Sequence, residues 1–72
     1  IGGTRNSAHT KGRAVDVLVM GKEALRLVRL ALDTGMTGIG VAQKGKANTR
    51  FIHIDDLEDS DENPRPYIWS YK

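Results

Sequence analysis

The chain has seventy-two residues and no cysteine, which allows one small domain and excludes a disulfide framework. A chain of this size buries little core and commonly depends on a metal or a partner; no apolar run is long enough to cross a membrane as a helix, and no signal-peptide pattern is visible. The net charge of +2 is unevenly divided, with nine Lys/Arg against three Asp/Glu in residues 1–50 and two against six in residues 51–72, but the positive charges are scattered with no aromatics among them, which argues against nucleic acid as a partner.

Residues 1–12 are rich in Gly, Thr, Asn and Ser and read as a loop. The opening Ile1-Gly2-Gly3, without an initiator methionine, is what a fragment or a processed piece shows. Arg13 to Met20 alternates as a strand does, with Val15, Val17 and Val19 on one face and Ala14, Asp16 and Leu18 on the other. Lys22 to Thr34 reads as a helix with two apolar stripes, Leu25-Val28-Leu32 and Leu27-Leu30-Ala31, and Gly35 stands where a left-handed residue ends a helix. Such a wide apolar face predicts packing on a sheet.

Thr37 to Gln43 and Arg50 to Asp55 read as the two strands of a hairpin turning at Lys44–Ala47. On the returning strand Phe51, His53 and Asp55 share one face, and Ile52 and Ile54 the other. Six of the eight residues from Asp55 to Glu62 are acidic; the run lacks the ligand spacing of an EF-hand and reads as a solvated loop. Pro64 and Pro66 follow, and Tyr67 to Tyr71 reads as a last short strand. There is no internal repeat. The fold class expected is α+β: a small, mostly antiparallel sheet with a helix on one face.

Asp16 is the only acidic residue before Glu23, and it stands among valines. A carboxylate in such a run needs compensation. If the helix covers the valine face, Asp16 and His53 share the opposite face, and His9 reaches over from the loop. Two histidines and one carboxylate match the ligand count of a catalytic zinc site, and metal binding would help to stabilise a small core. Pairing of Asp16 with Arg13 or Arg50 is the alternative that the residues leave open.

Ser7-Ala8-His9-Thr10-Lys11-Gly12-Arg13-Ala14-Val15-Asp16 resembles the Ser-x-His-x-x-Gly-x-Ala-x-Asp signature of the D-Ala-D-Ala carboxypeptidase-like zinc peptidases, which share a fold with the hedgehog signalling domain. Gly38-Ile39-Gly40-Val41 and Phe51-Ile52-His53-Ile54-Asp55 resemble the hairpin of the branch found in phage endolysins and small murein peptidases. The resemblance implies one Zn2+ held by His9, Asp16 and His53, and hydrolysis of peptide bonds in peptidoglycan stem peptides, of the DD- or LD-peptidase type. It implies action on the bacterial cell wall by a phage-encoded or periplasmic protein. Ser7 would brace the site, Gly12 would permit the turn into the strand, and Arg5, Arg13 or Arg50 would hold a substrate carboxylate. Tyr67 and Trp69 would line the groove or join the core.

The general base departs from the family pattern. Several branches carry Glu or Asp three residues before the last zinc histidine, where this chain has Arg50; others carry His two residues before it, where this chain has Phe51. Asp55 is the candidate base, or the residue that orients His53 or a nearby arginine. Family members also place a helix and an arginine-bearing strand ahead of the signature, so residues 1–72 are expected to be a single partial domain, the C-terminal part of a zinc peptidase domain whose N-terminal part is its partner. A zinc-containing but catalytically silent binding module of the same fold is the alternative, and a metal-free polyanion-binding fragment a third.

Overall fold

A computed structural model describes residues 13–71. Four strands and one helix are present among them: β1 (Ala14–Leu18), α1 (Gly21–Asp33), β2 (Gly38–Ala42), β3 (Phe51–Asp55) and β4 (Tyr67–Ser70), with a 3₁₀ turn at Ala47–Thr49 between β2 and β3. They form one sheet in the order β1-β3-β2-β4. β3 pairs antiparallel with both β1 and β2, so β1 and β2 run in the same direction on either side of it. The connection through α1 is therefore a split β-α-β unit.

The expected hairpin forms between β2 and β3. The sheet is mixed rather than mostly antiparallel, because β4 lies parallel to β2. β3 has its two edges occupied by β1 and β2, so the last strand takes an outer edge of the sheet, that of β2. The eleven-residue span between β3 and β4 carries the chain back so that β4 enters in the direction of β2.

Strand pairing sets the side chains in rows. On one face run Val15-Ile54-Ile39-Ile68 and Val17-Ile52-Val41-Ser70. The helix packs there through Ala24, Leu27, Val28 and Ala31, one stripe at i, i+3, i+4 and i+7. This corrects the two leucine stripes expected from the sequence: Leu25, Leu30 and Leu32 are all exposed. The two alanines are the buried helix residues, and their small side chains let α1 sit close over Ile39 and Ile52, which are 3% and 1% exposed. The longer residues are displaced to the flanks, where Leu32 borders a groove of about 440 Å³ toward β4 and Leu30 borders another toward β1.

Gly35 has φ +91° and closes the helix as its position predicts. At the far end of the sheet the Gln43 amide donates to the carbonyls of Val19, Ala42 and Phe51 at 2.8, 3.2 and 3.3 Å. At the other end Thr37 ties three strands together, donating its N–H to the Asp55 carbonyl at 2.8 Å and accepting from the Tyr67 N–H at 2.9 Å.

Candidate metal centre

The face away from α1 carries three further rows: Ala14-Asp55-Gly38-Tyr67, Asp16-His53-Gly40-Trp69, and Leu18-Phe51-Ala42. β2 contributes only Gly, Gly and Ala to it, so the side chains of β3 and β4 meet across the gap. His53 and Trp69 rings lie 5.2 Å apart over Gly40, and Phe51 and Tyr71 rings 5.1 Å apart. A Cβ at Gly40 would overlap the Trp69 indole, and one at Gly38 would overlap the Asp55 carboxylate and the Arg65 side chain. The Gly38-Ile39-Gly40 pattern is thus core on its middle residue and clearance on the other two.

His53 stands between two carboxylates. Its Nδ1 is 2.8 Å from Asp16 Oδ1 and its Nε2 is 2.8 Å from Asp55 Oδ2. The two carboxylates differ in setting. Asp16 is largely exposed, whereas Asp55 is 1% exposed. Asp55 also receives two donors from one guanidinium, Arg65 Nε to Oδ1 at 2.9 Å and the Arg65 terminal nitrogen to Oδ2 at 2.7 Å, and the Leu57 N–H at 3.3 Å. Burial alone would raise the Asp55 pKa, but the hydrogen bonds from Arg65, His53 and Leu57 outweigh it and hold the carboxyl at about 2. The same pairing raises the Arg65 pKa, with burial opposing.

Arg65 is the residue that sequence reasoning missed. Its signal was present: it is the only basic residue between Arg50 and Lys72, set between two prolines and ten residues after a strand-borne carboxylate that needs a partner. Its guanidinium carbon lies 5.0 Å over the Trp69 ring. The acidic run consequently splits. Its first member is buried in the sheet, Asp59 accepts from the Arg65 N–H at 2.8 Å, and Glu58, Asp61 and Glu62 are exposed.

The other predicted residues are placed as follows. Asp16 pairs with neither arginine. Arg13 lies beside Asp56, with its backbone N–H on that carboxylate and its guanidinium 3.7 Å away. Arg50 donates to the Gly45 carbonyl at 3.0 Å in the hairpin turn. Tyr67 and Trp69 lie on the face away from α1, with Tyr67 exposed and Trp69 half-buried. Arg5, Ser7, His9 and Gly12 lie outside the described residues. Among the described residues no group of three or more His, Cys, Asp or Glu side chains is arranged to hold a metal; Asp16 and His53 are two of the three predicted ligands. No described helix is long and apolar enough to cross a membrane.

Comparison with known proteins gives a family. The family model for peptidase M15 matches residues 1–55, the segment that contains the His9–Asp16 signature, α1 and the β2–β3 hairpin. No curated protein and no solved structure gave a match. The chain belongs to the M15 peptidase family of metallopeptidases.

Proposed function

We propose that this M15 chain serves as a zinc metallopeptidase on the stem peptides of peptidoglycan, with His9, Asp16 and His53 as the metal ligands. The observation that carries the reading is the Asp16–His53 pair. An imidazole nitrogen and a carboxylate oxygen face each other at 2.8 Å from register partners of adjacent strands, on the face that α1 leaves open. The donor set fits zinc. The Nε2 edge of His53 is occupied by Asp55, which leaves Nδ1 as the edge directed at the second ligand. When bound, zinc supplies Lewis acidity toward a scissile carbonyl and lowers the pKa of water.

The chain's own residues divide the remaining work. Asp55 was open to two roles, proton acceptor or orienter of His53. Its buried carboxylate, held at about 2 and engaged by Arg65, His53 and Leu57, supports the second. Ser7, Arg13 and Arg50 stay in this reading as residues that brace the site or hold a substrate carboxylate. The silent binding module is the second reading. The same observation favours it, because the one described carboxylate bonded to His53 besides Asp16 is already fully engaged.

The deciding experiment measures metal content by mass spectrometry and hydrolysis of peptidoglycan stem peptides, on the full-length protein and its His53→Ala variant. About one zinc per chain, lost in the variant, together with wild-type hydrolysis is the expected result. Zinc without hydrolysis selects the binding module. A well-folded protein without zinc overturns both.

A further inference from the structure

We propose that Arg65 is a positioning residue for the metal centre: acting through Asp55, it fixes which ring nitrogen of His53 faces Asp16. The proposal rests on the zinc-peptidase reading above and adds to it a residue outside the segment that matches the family.

The argument starts from Asp55 Oδ2. That oxygen is shared, 2.8 Å from His53 Nε2 and 2.7 Å from an Arg65 terminal nitrogen, while Arg65 Nε holds Oδ1 at 2.9 Å. A guanidinium fork on both oxygens sets the plane of the carboxylate, so Oδ2 cannot turn from the imidazole without breaking two short charge-assisted bonds. An ionised carboxylate only accepts hydrogen bonds. The ring edge that faces it, Nε2, is held there as the donor, and the Nδ1 edge is thereby kept on the side of Asp16, 2.8 Å from that second carboxylate.

Arg65 is itself held on several sides. Its side chain is 8% exposed. It lies over the Trp69 ring at 5.0 Å, and a terminal nitrogen donates to the Pro64 carbonyl at 2.9 Å. Gly38 supplies the space beneath the Arg65–Asp55 pair, since any side chain there would overlap it. A lysine at 65 would keep the charge but lose the fork. Pinning the loop of residues 56–66 to the sheet would explain an ion pair. It would not require that the pair share the oxygen that His53 uses, one row from the Asp16–His53 row.

The test uses the full-length protein, its Arg65→Met and Arg65→Lys variants, and two measurements. The first is the orientation of the His53 ring in the metal-free protein, read from the NOEs of its two carbon-bound protons to the Asp16 and Trp69 side chains. The second is zinc affinity by competition with a chelating dye. In the wild type a single ring orientation is expected, with Nδ1 toward Asp16. In folded Arg65→Met a mixture of ring orientations is expected, with zinc binding about 10–100-fold weaker, and Arg65→Lys should fall between.

A folded Arg65→Met protein with the wild-type ring orientation and an affinity within about twofold of wild type overturns the proposal. If that variant does not fold, the lysine variant is read by the same standard. Failure of both to fold assigns Arg65 to folding alone and also overturns it. A wild-type protein that binds no zinc removes the zinc reading, and the ring-orientation measurement then decides the role of Arg65 by itself.

Discussion

The two faces of this sheet are ordered by different forces. Under α1 the order comes from burial, and it is narrow: Ile39, Ile52, Ala24 and Ala31 are sealed, while Val15 and Ile68 at the ends of one row are 51% and 64% exposed. On the opposite face the order comes from directional bonds around one buried charge. Asp55 is as deeply buried as Ile52, and its desolvation is offset by a bidentate arginine, an imidazole and a backbone N–H. Apolar packing tolerates a loose margin, because each flank residue contributes only its own area. A buried carboxylate tolerates no missing partner, so the polar face must be complete where the apolar face can be partial.

The largest expected effect comes from breaking the polar side. Asp55→Ala leaves the Arg65 guanidinium buried without its partner and should cost about 3–5 kcal/mol in urea unfolding. The double variant with Arg65→Met should cost less than the two single losses added together. A loss below about 1 kcal/mol for Asp55→Ala would mean that the two faces do not differ in this way. On the apolar side Ile52→Ala should cost about 2–5 kcal/mol through the cavity it leaves. Leu25→Ala, at an exposed flank position, should stay within about 0.5 kcal/mol.

Acid should separate the faces next. The Asp55 carboxyl is held at about 2 against an ordinary value of 3.8. A lowered carboxylate pKa stabilises the fold fully above the ordinary value, and that stability, about 2 kcal/mol, is lost as pH falls through the folded value. In the metal-free protein, unfolding free energy should therefore decline as pH drops from 4 toward 2, and the decline should shrink in Asp55→Asn. Two glycines test the faces more locally. Gly38→Ala forces the Asp55–Arg65 pair to shift and should cost about 1–3 kcal/mol and move the NMR signals of the His53 ring. Gly35→Ala meets no neighbouring atom but adopts φ +91°, so it should cost about 1–2 kcal/mol and leave His53 undisturbed.

Local pattern carried most of the secondary structure. Alternation in residues 13–20 and 50–55 placed Asp16 and His53 on a common face, and the pairing of the two in register is consistent with that reading. The helix was readable within one residue at each end, because Gly35 and the apolar spacing are local signals. The choice of helix stripe was not. Leucine outranks alanine in hydrophobicity, yet close approach of helix to sheet favoured Ala24 and Ala31, and only packed neighbours decide that.

Backbone periodicity and residue chemistry were enough to give the α+β class, the hairpin strands, and the strand faces that Asp16 and His53 occupy, since these depend on neighbours two to four positions apart. Tertiary structure alone decided the parallel docking of β4, the meeting of His53 with Trp69 over Gly40, and the reach of Arg65 back to Asp55. Each depends on which chain segments end up side by side after a long connection closes. A buried charge announces that it needs a partner, but the sequence does not say from which strand or loop the partner will come.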